Sequence, residues 1–181
     1  MGNKEGIVIS HYRIAQLLYF MEKYDEALQQ GEQGLELARE LGNQQFEAGF
    51  LHQNGGTLNA LNRSQEAFER FTESLAIREQ IGDKAGQADS LGEIGKLLLG
   101  AGQFKEALDY FQRALAIDRE LGDPVKVAID LESIGVIFED QGHYQEALIK
   151  YQEALQLEQQ YSNPQEIART ERNIARVKKQ L

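Results

Sequence analysis

Cysteine is absent from the 181 residues. That excludes a disulfide framework and a thiolate metal site, and it suits a reducing compartment, so a cytoplasmic location is expected. Proline occurs only at Pro124 and Pro164, a scarcity that favours long uninterrupted helices. No stretch approaches the roughly 20 apolar residues that cross a bilayer. The apolar run from Ile7 to Met21 is broken by His11, Arg13 and Gln16, and no small-residue cleavage site follows, which argues against a signal peptide. Positive charge is also in short supply. The 19 basic groups face 29 acidic ones, a formal net charge of -10, and such a surface repels phosphate backbones. Neither nucleic acid nor a membrane is therefore expected as a partner. The exception is residues 163–181, where Arg169, Arg172, Arg176, Lys178 and Lys179 outnumber Glu166 and Glu171.

Repetition dominates what is present. Leu41-Gly42-Asn43, Ile81-Gly82-Asp83, Leu121-Gly122-Asp123 and Tyr161-Ser162-Asn163 recur at a fixed 40-residue interval, with Met1-Gly2-Asn3 in the same register. Glu26-Ala27-Leu28, Glu66-Ala67-Phe68, Glu106-Ala107-Leu108 and Glu146-Ala147-Leu148 recur at mid-period. Asn or Asp at 3, 43, 83, 123 and 163 can accept from the free amides of a starting helix. Gly42, Gly82 and Gly122 can take the left-handed conformation that ends the helix before. Both prolines follow a cap directly, at the first helical position, where a missing N–H matters least. Apolar residues between these marks have helical spacing, as in Ala88, Leu91, Ile94 and Leu98 or Ala107, Leu108, Phe111 and Leu115. A break near Gly102 and Gly142 divides each period into a first helix, A, and a second, B.

The residues Leu91, Ile94-Gly95 and Leu98 with Ala107 and Phe111, and Leu131, Ile134-Gly135 and Phe138 with Ala147 and Tyr151, resemble the tetratricopeptide repeat (TPR). The long period, with Arg119 and Gln159 where a proline usually ends helix B, is similar to the repeats of kinesin light chain, the Pins/LGN polarity adaptors and bacterial TPR sensor domains. The resemblance covers nearly the whole chain. It implies an all-α, right-handed superhelical solenoid of four helical hairpins (3–42, 43–82, 83–122 and 123–162) plus a C-terminal capping helix, 163–181.

Little in the sequence points to chemistry. His11, His52 and His143 lie too far apart for metal-ligand spacing on one helix, and the glycines of 92–102 follow no strand. No base–nucleophile pair stands out, so neither catalysis nor a cofactor or metal is expected. What the resemblance implies instead is a partner protein or peptide held on the concave face of the A helices. Carried over by position, that face comprises Tyr12, Arg13, Gln16 and Tyr19 on the first A helix. It continues with His52, Gln53, Gly56 and Asn59 on the second, Asp89, Glu93 and Lys96 on the third, and Glu132 and Glu139 on the fourth. The Lys, Asn and Arg pattern with which chaperone-binding relatives grip a carboxylate is missing. An aromatic end with Arg13 and an acidic end suit a partner that is partly apolar and partly basic. The alternative is a self-assembling scaffold, a homo-oligomer formed through the groove or the stack ends, with the basic last helix against an acidic body.

The second unit departs from its neighbours. Asn54 stands where Ile14, Ile94, Ile134 and Ile174 stand, and Gly55-Gly56 costs about 1 kcal/mol per glycine relative to alanine. Gly31 weakens the first B helix in the same way. These departures read either as drift or as a place where a partner packs closely.

Overall fold

The computed structural model describes residues 2–161 and 164–181. Helix punctuation follows the capping register. Asn43 Oδ1 accepts from Phe46 N at 3.1 Å, Asp83 Oδ1 from Gly86 N at 3.0 Å, and Asp123 Oδ1 from Val125 N and Lys126 N at 3.1 Å. Asn3 differs, because the first helix begins ahead of it at Gly2. Asn163 lies outside the described residues. Gly42, Gly82, Gly102, Gly122 and Gly142 all have φ between 64 and 76°. Where the mid-period glycine is missing, Glu22 and Asn62 take the same left-handed conformation, at φ 60 and 59°. The turn is dictated by the hairpin, and it is held against a side-chain cost of about 1 kcal/mol.

Among the described residues the elements are nine helices: α1 (Gly2–Phe20), α2 (Tyr24–Glu40), α3 (Gln44–Ala60), α4 (Ser64–Ile81), α5 (Lys84–Gly100), α6 (Phe104–Leu121), α7 (Pro124–Asp140), α8 (Tyr144–Tyr161) and α9 (Pro164–Lys178). Odd-numbered helices are of type A and even-numbered ones of type B. The chain divides into two compact units, residues 1–90 and 91–181, with the boundary inside α5.

Within a hairpin the A helix presents glycine to an aromatic ring of its B helix. A Cβ at Gly55 would lie 2.9 Å from the Phe71 ring, one at Gly95 3.0 Å from Phe111, and one at Gly135 2.7 Å from Tyr151. These rings are fully buried, so the close approach replaces a methyl group with a much larger apolar contact. Gly55 is therefore explained by packing. The first hairpin reverses the sizes, with Ala15 on α1 and Gly31 on α2, both buried.

Between hairpins each A helix also packs on the B helix before it, and one register position there is different every time. Phe50 of α3 lies over Gly34 of α2, where a Cβ would come within 2.2 Å of the ring. Ser90 of α5 accepts from Arg78 Nη1 of α4 at 3.1 Å, while the same guanidinium donates to Gly86 O at 2.6 Å. Asp130 of α7 meets Asp118 of α6, and the two carboxyl groups share a hydrogen bond. Thr170 of α9 lies 3.0 Å from Glu158 of α8. All eight residues except Gly34 are within a tenth of full burial, and Gly34 is buried as well.

Asn54 corrects the reading of the second unit. It is fully buried on α3, its Nδ2 donates to Glu32 Oε1 at 3.2 Å, and its Oδ1 occupies the space that a Cβ on Gly31 would need. Gly31 and Asn54 are thus a matched pair across the α2–α3 contact, not two separate weaknesses. Neither can be changed alone without a cavity or a clash.

The last helix is fastened at two levels. Ile174 and Val177 join Ala147, Leu148 and Tyr151 of α8 in a buried cluster. On the neighbouring face Arg169 ion-pairs with Glu132 of α7, and Arg176 Nη2 donates to Glu139 Oε2 at 2.8 Å. Thr170 Oγ1 donates to Glu132 Oε1 at 2.6 Å.

Two outcomes are expected from this packing. Burial, then the charge of Asp118, then the hydrogen bond to it hold the Asp130 carboxyl up at about 8. The folded chain therefore keeps a proton that the unfolded chain loses near pH 4. By linkage this contribution is full at low pH and declines as pH rises through the window from about 4 to 8. Asp130→Asn keeps the hydrogen bond without the proton. It should raise the melting temperature at pH 8 by the equivalent of at least ~1 kcal/mol more than it does at pH 5. Equal shifts at both pH values in calorimetry would contradict the shared proton. Second, deletion of residues 164–181 should lower the melting temperature and promote aggregation, since Leu148 and Tyr151 would enter water. An unchanged melt with a monomeric product would remove the capping role of α9.

Candidate functional site

The expected groove residues fall in two sets, one on each unit, and the structure gives them different work. On α1, Arg13 and Gln16 are exposed, while Tyr12 and Tyr19 are half-buried. Tyr12 stands edge-on to Phe50 at 5.4 Å, and Tyr19 edge-on to Phe20 and Tyr24 at 6.0 and 5.4 Å. On α3, His52 packs edge-on against Phe71 at 5.2 Å, and Gln53 Nε2 donates to Tyr12 O at 3.3 Å, tying α3 to α1. Tyr12, His52 and Gln53 therefore hold unit 1 together. Asn59 and Asp89 are exposed, and Gly56 is half-buried with nothing near the place of a Cβ.

On unit 2, Lys96 Nζ donates to Glu93 Oε1 at 2.8 Å on one face of α5. Glu132 is buried, and Glu139 is mostly covered, each beneath an arginine of α9. Arg176 holds the Glu139 carboxyl below the usual carboxylate range, and the Tyr151 hydroxyl adds a hydrogen bond at 2.8 Å. The expectation of an acidic end open to a basic partner is corrected here. Those two carboxylates are already neutralised from within, by arginines of the basic last helix that the scaffold alternative set against the acidic body of another copy.

What the same face does offer is a concavity of about 370 Å³ beside these pairs. Its apolar lining is Leu99, Ile129 and Val136, and its polar lining is Lys96, Glu132, Ser133, Glu166, Arg169 and Asn173. Ile129 is 39% exposed between buried Ala128 and Asp130, at the position that exposed Asp89 holds one repeat earlier. The part that α9 plays in this face was missed in the sequence. A signal was available: Glu132 precedes Arg169, and Glu139 precedes Arg176, by the same 37 residues, close to one period.

No cluster of three or more His, Asp or Glu able to hold a metal ion occurs among the described residues. No helix among them is long and apolar enough to cross a membrane.

Comparison with solved structures shows the fold. BtubC (BKLC) from P. vanneervenii superimposes with a TM-score of 0.86 at 17% identity, over 99% of this chain and 82% of that one. A putative kinesin light chain of Podosopora anserina with nearly identical TPR-like repeats gives 0.78 at 16% identity, over 96% and 86%. A Rap protein complexed with Competence and Sporulation Factor gives 0.77 at 18% identity, over 86% of this chain and 43% of that one. No curated protein matches the chain by sequence. Two tetratricopeptide repeat models match, over residues 46–120 and 131–165, together more than half of the chain. The α-helical hairpins described above are TPR units in an all-α solenoid with a capping helix, and the chain belongs to the tetratricopeptide repeat family, whose repeats are protein-interaction modules.

Proposed function

We propose that the chain binds a peptide or helical segment of a partner protein on the exposed faces of its A helices and catalyses nothing. The observation that carries this reading is the concavity of unit 2. Leu99, Ile129 and Val136 line it together with Lys96, Glu132, Ser133, Glu166, Arg169 and Asn173. Apolar side chains beside polar groups that can fix orientation are features of a recognition pocket. It fits one large aliphatic or aromatic side chain of a segment lying across α7.

Two further facts support it. Gly56 and Gly92 sit inside A helices with open space where a Cβ would be, so neither serves internal packing, unlike Gly55 and Gly95. Each costs about 1 kcal/mol of helix stability relative to alanine, and an exposed backbone that another chain can approach is a reason to keep it. The Rap neighbour was solved with Competence and Sporulation Factor bound, an example of a similar fold holding a ligand.

The partner segment is apolar at its centre. Glu132 and Glu139, held by Arg169 and Arg176, are not the acids that would meet its basic groups. A reducing cytoplasmic setting, as in an adaptor, fits the cysteine-free composition.

A peptide-library selection with the purified chain, followed by titration of the selected peptide, tests the reading. Ile129→Asp places a charge where the apolar contact would form. It should weaken binding at least about tenfold while the melting temperature stays within the usual range of a surface change. Gly56→Ala should stabilise the free chain by ~0.5–1 kcal/mol and weaken a complex that reaches α3. Affinity unaltered by Ile129→Asp would take the concavity off the binding surface. A selection that yields no peptide at all would count against the A-helix face as a whole.

A further inference from the structure

The repeat register sets two neighbouring interfaces in contrast. In unit 1 the guanidinium of buried Arg78 lies 3.8 Å from Asp83 and donates to Gly86 O and to Ser90 Oγ. Forty residues on, the places of Arg78, Asp83 and Ser90 are taken by Asp118, Asp123 and Asp130. The cation has become a carboxyl, and so has the hydroxyl. Asp118 and Asp130 are 3 and 5% exposed and share a hydrogen bond. Such a bond needs one proton between two carboxyl groups, which leaves one negative charge on the pair. Lys96 and Lys126 temper that charge through space. Asp130 Oδ2 is buried and meets no hydrogen-bond partner among the described residues. A buried charge and a buried acceptor without a donor are both costly.

Asp118 is also reachable. It lines a concavity of about 520 Å³ formed by the end of α6, the start of α7 and the second half of α8, all within unit 2. That volume falls in the roughly 300–1,000 Å³ range of small-ligand sites. Val127, Leu131 and Leu157 give it an apolar wall, and Asp118, Asp123 and Glu153 bring three carboxyl groups. Arg119 is the basic member of the lining, and it already ion-pairs with Glu153 at 3.8 Å. Gln156, Gln160 and Tyr161 are exposed at the edge.

We propose that this concavity binds an alkylguanidinium group, its stem on Val127, Leu131 and Leu157 and its guanidinium on the Asp118 carboxyl. Arg78 shows that the same register position houses a buried guanidinium one repeat earlier, where its neighbours accept from it. The single charge left on the Asp118–Asp130 pair matches a monocation. A planar fork can give a carboxylate two N–H bonds, and its weak hydration makes burial less costly than for an ammonium. The apolar wall favours an alkyl stem over a hydrated metal ion. A free alkylguanidine and an arginine side chain of another protein present the same chemistry. The concavity shares no lining residue with the one on the A-helix face, so the two readings stand or fall separately.

Butylguanidinium, added to the nitrogen-15-labelled chain at neutral pH, should bind saturably and shift the amide signals of Asp118, Val127 and Leu157. N-butylurea, its neutral isostere, should bind at least about tenfold more weakly. Asp118→Asn should weaken butylguanidinium binding by a similar factor while helical circular dichroism is unchanged. Nα-acetyl-arginine methylamide separates the sources. An affinity above that of butylguanidinium assigns a partner's arginine, a lower one assigns a free small molecule, and either result supports the site. Binding that does not saturate, equal affinity for the urea, or unaltered affinity in Asp118→Asn would each overturn the proposal. So would shifts spread over exposed acids such as Glu36 and Glu146, the mark of unspecific attraction. The comparison of charged and neutral ligands on the parent chain stays decisive should Asp118→Asn fail to fold.

Discussion

Helices α3 and α7 must each fit between two B helices, their own and the one before, and much of the structure follows from that constraint. On one side the fit is met by removing atoms. Gly55, Gly95 and Gly135 let the rings of Phe71, Phe111 and Tyr151 lie directly on the helix backbone. On the other side it is met by pairing groups that match only each other: Phe50 over Gly34, Arg78 with Ser90, Asp118 with Asp130, and Glu158 with Thr170. An apolar ring, a guanidinium, a shared proton and a carboxylate with a hydroxyl are not interchangeable. A hairpin stacked on the wrong neighbour would bury Arg78 against a ring or Asp118 against a threonine without its partner. Unmatched buried charge is among the larger penalties available to a protein interior. The uniform glycine–ring contacts thus make the repeats alike enough to stack, while the variable pairs make the order of stacking specific.

The periodic part of this design is legible in sequence, and the reason is local. A cap, a left-handed glycine and a helical stripe act within about four residues of themselves, so Asn43, Asp83, Asp123 and the glycines beside them announce the helix ends directly. Even the exceptions at Glu22 and Asn62 obey the register, because the hairpin dictates the turn and the side chain complies. The compensations are harder to read. Asn54 looks like a polar intruder and Gly31 like a weak point, 23 residues apart, until the two are seen to fill one space. Nothing in either local sequence says so, since the matching lies between hairpins and not within one.

The candidate surface was legible to a similar depth. Position in the repeat identified the A-helix face, and Arg13, Gln16, Asn59 and Lys96 are exposed on it. Position could not reveal that Tyr12, His52 and Gln53 are engaged with Phe50, Phe71 and the backbone of α1. Nor did charge counting separate acids that attract a partner from acids that hold the chain together. Glu132 and Glu139 belong to the second kind.

That distinction bears on how α9 is held. In this family each repeat contacts only its neighbours, so a terminal A helix must be fixed by the hairpin before it and present a surface that water accepts. Helix α9 meets both needs with one periodicity. Ile174 and Val177 face the B helix behind, Arg169 and Arg176 reach the acids of α7, and Glu171, Arg172 and Lys178 stay exposed. An arginine suits the second role better than lysine. Its planar fork engages both oxygens of a carboxylate, and its weaker hydration makes partial burial less costly. Arg169 and Arg176 are thus the counter-charge of Glu132 and Glu139, carried within the same chain.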